Sequence, residues 1–435
     1  MVPSPTGRPL SIVDFRRLWS GGLVSLVGTH MQFVALPYFA YQRTGSAFAT
    51  ALTATAQALP ALALGPVAGA VADTRDTRRV LVTANVVLAA VTLGFCLVVV
   101  GPWWVVLGVA LLQATVGQLV APAEAVLIPG LVPAARLPAA NSLLGANYSI
   151  ARLVGPAVGG VVYAAVGLPA VAVLNALSFA AAAVMVGRIT RTRAPDGGDA
   201  LPITAGLLLV PVRWTAGWAH GWAEIRRQSL LVRLLWVFVV TGVGEGCVSA
   251  LLAPYVQEVF GGSTALGLLL SCQAAGGLAG AVLISRRVRA DRLTQTLGRA
   301  ALACGVLLTV MIGYPLFYDQ LWPALLLIAV AGSPFAAVAA TQATLLQSLP
   351  EPTARGRVFG FVTAAAGAAQ LAGILLSGYL ADRTTVYLLL ADAACYLLAA
   401  VVMLPTRQPG TSTSSSGSGD STDSTVARGQ TKRAG

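Results

Sequence analysis

Charge is what this 435-residue sequence has least of: charged residues make up 10% of it, against 56% hydrophobic. Soluble domains carry about a quarter charged residues, so composition excludes a water-soluble domain or string of domains. Lysine occurs once, as Lys432, and there is no GxxxxGK[ST] loop, so ATP hydrolysis by this chain is not expected. Histidine occurs twice, as His30 and His220, with no HExxH and no clustered acids, which leaves no catalytic constellation and no expectation of an enzyme. The five cysteines (Cys96, Cys247, Cys272, Cys304 and Cys395) lie in apolar runs without a CxxC pair or a His nearby. They read as small core residues, so neither a disulfide nor a metal or other cofactor is expected. A cleavable leader is not expected either, because Met1–Arg17 is polar and the first apolar run is of full spanning length. The net charge of +12 would suit a nucleic-acid partner, but the arginines sit in short loops and form no stripe, so none is expected.

What fills the chain is apolar runs. About 20 such residues cross the ~30 Å hydrocarbon layer, and only a helix satisfies its own backbone there. Twelve spans are expected, at 18–42, 47–72, 79–100, 102–128, 139–165, 168–188, 231–257, 263–286, 296–316, 321–348, 355–381 and 384–404. The fold class is therefore an all-α polytopic membrane protein. Its expected divisions are an N-terminal segment 1–17, a six-helix bundle 18–188, a connector 189–230, a second six-helix bundle 231–404 and a Ser/Thr/Gly-rich disordered tail 405–435. Within the connector, Trp218 to Leu231 reads as a short helix lying on the membrane, with Trp218 and Trp222 on one side and Arg226 and Arg227 near the headgroups. Arginines crowd one side of the spans, while the other carries only Arg43 and Arg383. The positive-inside rule then puts both termini in the cytoplasm of a bacterial cell.

The second six spans echo the first. Pro37, Gly45 and Ser46 precede Pro254, Gly262 and Ser263 by 217 residues, and Gly155 and Gly160 precede Gly373 and Gly378 by 218. A near-constant offset of half the chain implies two pseudo-symmetric bundles, an arrangement that places a transport site between them at the midplane.

Four stretches carry a family resemblance. Gly65 to Arg79 reads GPVAGAVADTRDTRR and resembles the loop 2–3 signature of major facilitators; Ala290-Asp291-Arg292 is its weaker echo. Gly155-Pro156-Ala157-Val158-Gly159-Gly160 resembles the fifth-span antiporter motif of that family's exporters, and its small residues also suit close helix packing. Asp14-Phe15-Arg16-Arg17-Leu18-Trp19 and Pro350 to Val358 are similar to the branch holding the enterobactin exporter and the macrolide efflux proteins. The resemblance implies a proton-coupled efflux pump for amphiphilic small molecules such as drugs, antibiotics or siderophores. A siderophore-specific exporter and an uptake permease of the same fold are the alternatives. The implied partners are a small-molecule substrate, protons and the bilayer, with the chain working as a monomer. It also implies that Asp73 is the acid of a cytoplasmic latch, with Arg78 and Arg79 as its basic partners and Asp291 as its echo. Glu124, near the same membrane face, pairs with Arg78 or Arg136 at that gate or takes part in coupling.

A charge at the bilayer centre costs about 2.5–3.5 kcal/mol on insertion scales, so each one needs a reason. Glu245, among Gly242, Gly244 and Gly246, is the candidate proton carrier; the alternative is a carboxylate satisfied by a neighbouring span. Arg152 either pairs with Glu245 or holds an anionic substrate. Asp392 is a second acid, read more as structural than as coupling, and His30 titrates near neutrality or packs. Many members of the branch carry an acid beside the glycine of span 1, where this chain has Gly28-Thr29. Gln32, Gln57, Gln113 and Gln273, with Gln118, Asn147 and Gln342, are candidates for the cavity wall, the alternative being interhelical hydrogen bonds.

Overall fold

The computed structural model describes residues 9–74, 76–99, 101–190, 222–285, 292–318, 320–351, 354–381 and 385–404, without the side chains of 65–74, 99 and 284–285. The side chain of Asp73, all of Asp291, the connector stretch 191–221 with Trp218, and the tail 405–435 lie outside the described residues.

The twelve membrane-length helices are α1 Val13–Thr44, α2 Ala47–Thr74, α3 Thr77–Leu93, α4 Val105–Leu131, α5 Leu137–Val166, α6 Leu168–Gly187, α7 Ser229–Phe260, α8 Ser263–Ser285, α9 Leu293–Gly313, α10 Leu321–Ser348, α11 Arg355–Leu380 and α12 Thr385–Met403. α1 begins at Val13, inside the stretch expected as a polar N-terminal segment. Hydropathy misses that turn because Asp14, Arg16 and Arg17 are charged, yet Asp14 is buried. It accepts from Arg17 at 2.9 Å and from the Thr190 hydroxyl at 3.0 Å, which ties the start of α1 to the end of α6. α4 consists of two pieces, Val105–Gly117 and Val120–Leu131.

Local chemistry sets the ends. α1 stops at Gly45, at φ 65° in the left-handed region, whose N–H reaches Tyr41 O at 2.7 Å. α7 stops in the same way at Gly261, φ 71°. The capping glycine of the second half is therefore Gly261, one residue before the Gly262 chosen by the sequence offset. Asp76 caps α3 by accepting from the Arg78 and Arg79 N–H groups at 3.1 and 3.4 Å.

The two halves repeat one packing scheme. α1 packs on α5 and α6 as α7 packs on α11 and α12; α3 packs on α6 as α9 packs on α12, and α2 on α4 as α8 on α10. Between halves α5 lies along α8 and its mate α11 along α2, while α1 and α2 touch α7. These contacts gather on the membrane face away from the connector. At the connector face Phe15, Leu18, Leu81, Leu127 and Ile189 belong to a separate apolar cluster drawn from the first half alone. Among the described residues no hydrogen bond or ion pair joins the halves on that face. Among the described residues the halves are therefore joined on the face away from the connector.

Candidate functional site

Glu245 stands where it does because of the glycines around it. Gly242 and Gly246, one turn apart, press their backbones against α11 at Ala366 and Gln370, and Gly244 presses against Asp392 of α12. With those faces packed, Glu245 is left on the free face of α7, and it is exposed. The Tyr396 hydroxyl, reaching in from α12, donates to its Oε1 at 3.4 Å. Phe335 of α10 holds the Tyr396 ring edge-on at 5.3 Å. Asp392, one turn before Tyr396, is 2% exposed, and its Oδ1 has no hydrogen-bond partner.

The facing wall comes from α1 and α5. Arg152 is exposed and lies within electrostatic reach of both His30 and Glu245. It makes no ion pair within 4 Å among the described residues. His30 keeps its Nδ1 2.9 Å from Leu26 O and sits edge-on to Tyr148 at 5.4 Å. One cation and one carboxylate thus stand within electrostatic reach, each on its own bundle.

Gln32 and Gln113, expected as cavity-lining positions, take the interhelical alternative instead. Gln32 is 3% exposed and donates to Gln113 Oε1 at 2.5 Å, while accepting from Asn175 Nδ2 at 2.6 Å. Gln113 also donates to the Thr92 hydroxyl at 3.0 Å, and the Ser178 hydroxyl donates to Asn175 Oδ1 at 3.1 Å. This neutral chain ties α1, α3, α4 and α6 together. Asn147 is spent likewise, donating to Trp19 O at 2.8 Å. Gln57 donates to Thr53 O of its own helix at 3.3 Å, and Gln118 to Ala114 O of its own helix at 3.4 Å. Gln273 is half-buried, and Gln342 is buried with Nε2 unpartnered.

The GPxxGG segment is a two-sided seam. A side-chain carbon on Gly155 would meet His30 and Val27 of α1, and one on Gly159 would meet Met31. Gly160 instead abuts the Ser263–Thr264 backbone of α8 in the other half, and Gly267 abuts Pro156. The Ser263 hydroxyl donates to Gly160 O at 2.9 Å, and the Ala157 N–H donates to Ser271 Oγ at 3.0 Å. Serines of α8 thereby satisfy backbone groups around the helix-interior proline. Tyr41 donates to Glu258 at 2.5 Å and Tyr38 to Gln257, which closes the same face between α1 and α7.

At the connector face the basic residues pair within their own half. Arg79 pairs with Asp76 at 3.3 Å, and the Arg78 guanidinium donates to the Gly187 carbonyl of α6. The Asp73 side chain, the expected partner of both, lies outside the described residues. Glu124 sits by Gly22 of α1 and Asn147 of α5, and no ion pair to Arg78 or Arg136 is found among the described residues. Trp222 stacks on Phe361 of α11 at 5.8 Å, under the Arg226 guanidinium.

Sequence reasoning passed over Tyr396, Asn175 and Ser271, and read Ser263 only as the repeat mate of Ser46. The repeat offset held one signal: Asn175 and Asp392 are 217 apart, and Thr29 and Glu245 are 216 apart.

The family model described as transmembrane secretion effector matches residues 4–428. Macrolide efflux protein A of Streptococcus pyogenes is 24% identical over 382 residues, covering 85% of this chain and 90% of its own. The multidrug efflux pump Tap of Mycolicibacterium fortuitum is 27% identical over 384 residues, covering 86% and 89%. Among solved structures, a bacterial homologue of the iron transporter ferroportin in its inward-facing state aligns with a TM-score of 0.65 at 17% identity, over 90% of this chain and 98% of its own. The same homologue in its outward-facing state gives 0.53 at 18% identity, over the same 90% and 98%.

Proposed function

The chain belongs to the transmembrane secretion effector family of major facilitators, and from that membership, which makes it a multi-pass membrane transporter, we propose that it expels amphiphilic small molecules in exchange for protons. The observation that carries the proposal is the placement of Glu245: a lone carboxylate on the unpacked face of α7, opposite Arg152 of the other bundle. A carboxyl at such a seam alternates between wet and enclosed surroundings as the bundles rock, so it takes up a proton on one side and gives it back on the other. Arg152 supplies the fixed charge that balances it, and His30 edges the same wall. The joined face, with its α5–α8 and α2–α11 seams, is the outer one, and the connector face opens to the cytoplasm; the arginine bias supports that orientation. The Asp73 loop latches the connector face in the opposite state, when the halves meet there. Gly155, Pro156, Gly159 and Gly160 let α5 slide against both α1 and α8. The substrate rides in the cleft between bundles, and the chain works alone, with both termini in the cytoplasm.

The test is accumulation of ethidium, erythromycin, tetracycline, chloramphenicol and catecholate and hydroxamate siderophores in a pump-deficient bacterial host. Expression is expected to lower the cell content of at least one compound, and a protonophore to restore it. A compound that accumulates more on expression would turn the reading into that of an uptake permease.

A further inference from the structure

The two halves place different chemistry at matching points. In the first half Gly28 of α1 packs against Asn175 and Ser178 of α6; in the second, Gly244 of α7 packs against Asp392 of α12. Asn175 is the repeat mate of Asp392, and both are buried. The amide is satisfied on both sides, by Gln32 at 2.6 Å and by Ser178 at 3.1 Å. The acid is not: Oδ1 of Asp392 has no partner, and no arginine forms an ion pair with it among the described residues. The titratable groups around it are Glu245 and Cys247 of α7, Cys304 of α9, and Cys395 and Tyr396 of its own helix. None is a cation. If packing were its only task, asparagine would serve better, since a buried carboxylate without a counter-charge or donors costs several kcal/mol. Among the described residues no cation balances its charge, which leaves a proton.

We propose that Asp392 is a second proton-binding carboxyl of the transport cycle, loaded from Glu245. The proton enters on Glu245 from the cleft. Its O–H bond breaks as the hydrogen passes to the Asp392 carboxylate, where the new O–H bond forms, and Glu245 is left as a carboxylate. Glu245 is then free to bind a second proton. Each substrate expelled then moves two protons.

This rests on the proton-exchange reading above, and the experiment separates the two. The probe is whichever of ethidium, erythromycin and tetracycline the wild type expels from cells, measured with purified protein in liposomes at zero membrane potential. One pH unit then sustains about a tenfold gradient of the probe per coupled proton, so about a hundredfold for two. The wild type is expected near a hundredfold, Asp392→Asn near tenfold with probe-for-probe exchange within about twofold of wild type, and Glu245→Gln with no uphill gradient. Retained exchange by Asp392→Asn certifies its fold. A wild-type ratio near tenfold, or an Asp392→Asn ratio equal to wild type, overturns the second site and leaves the exporter standing. A wild type that sustains no gradient of any of the three overturns both.

Discussion

Replacing Gly160 by alanine tests whether the α5–α8 seam is what holds one face closed. The added carbon would lie 2.5 Å from the Ser263 carbonyl oxygen and 3.2 Å from the Ser263 carbonyl carbon and Thr264 Cα. All three are backbone, so no side chain can swing aside; the helices must separate, and the 2.9 Å Ser263–Gly160 hydrogen bond stretches with them. Overpacking of this kind costs about 1–3 kcal/mol. In the proposed cycle α5 and α8 part in the other state, so the cost falls on the closed arrangement alone. The helix-propensity gain of alanine over glycine, about 0.5–1 kcal/mol, is common to both states and cancels. The ratio of closed to open molecules should therefore drop by a factor of about 5 to 150. Spin labels at Trp104 and Phe317, which are 61% and 91% exposed near this face on opposite halves, report the change by pulsed EPR as growth of a longer distance. Gly145→Ala, on the same helix with nothing within 4 Å of the new carbon, is the control and should leave the distances alone. A folded Gly160→Ala protein whose distance distribution superimposes on wild type would refute the seam as the closing element.

Glu245→Gln should abolish uphill efflux while substrate-for-substrate exchange continues; unchanged uphill efflux removes Glu245 from the mechanism. Gln32→Leu strips the acceptor from Asn175 and a partner from Gln113, so thermal unfolding should show a loss of about 1–3 kcal/mol, and an unchanged Tm would mean that the amide chain contributes nothing. Asp76→Ala removes the cap of α3 and the partner of Arg79, and a loss of about 1 kcal/mol is expected by the same measurement, with no change in substrate affinity. A fall in affinity would place Asp76 in the substrate path.

Helix count and rough span ends were legible because twenty apolar residues between arginine-bearing loops have few other readings. Glu245 was legible as a lone acid in an apolar run. Sidedness was not. In water a helix betrays its inner face by an apolar stripe, but in a bilayer the lipid side and the packed side are both apolar. Gln32 and Gln57 therefore looked alike in sequence, although one is sealed in a four-helix amide chain and the other bonds its own helix. Tyr396 passed for an ordinary membrane tyrosine, since its value depends on α12 bringing it to α7. The Gly187 carbonyl that Arg78 meets was hidden for the same reason: it is 109 residues away in sequence.

The apolar cluster at the connector end has a bearing on how the protein is made. Phe15, Leu18, Leu81, Ala123, Leu127, Ile128, Leu131, Val132, Ala140, Val186 and Ile189 all come from the first 190 residues. Among the described residues it takes nothing from the second bundle, so it can be completed while that bundle is still on the ribosome. With chains emerging at roughly 5–20 residues per second, the first bundle has about ten seconds or more to settle before its partner is fully synthesised. The later half is then inserted beside a neighbour whose shape is already set.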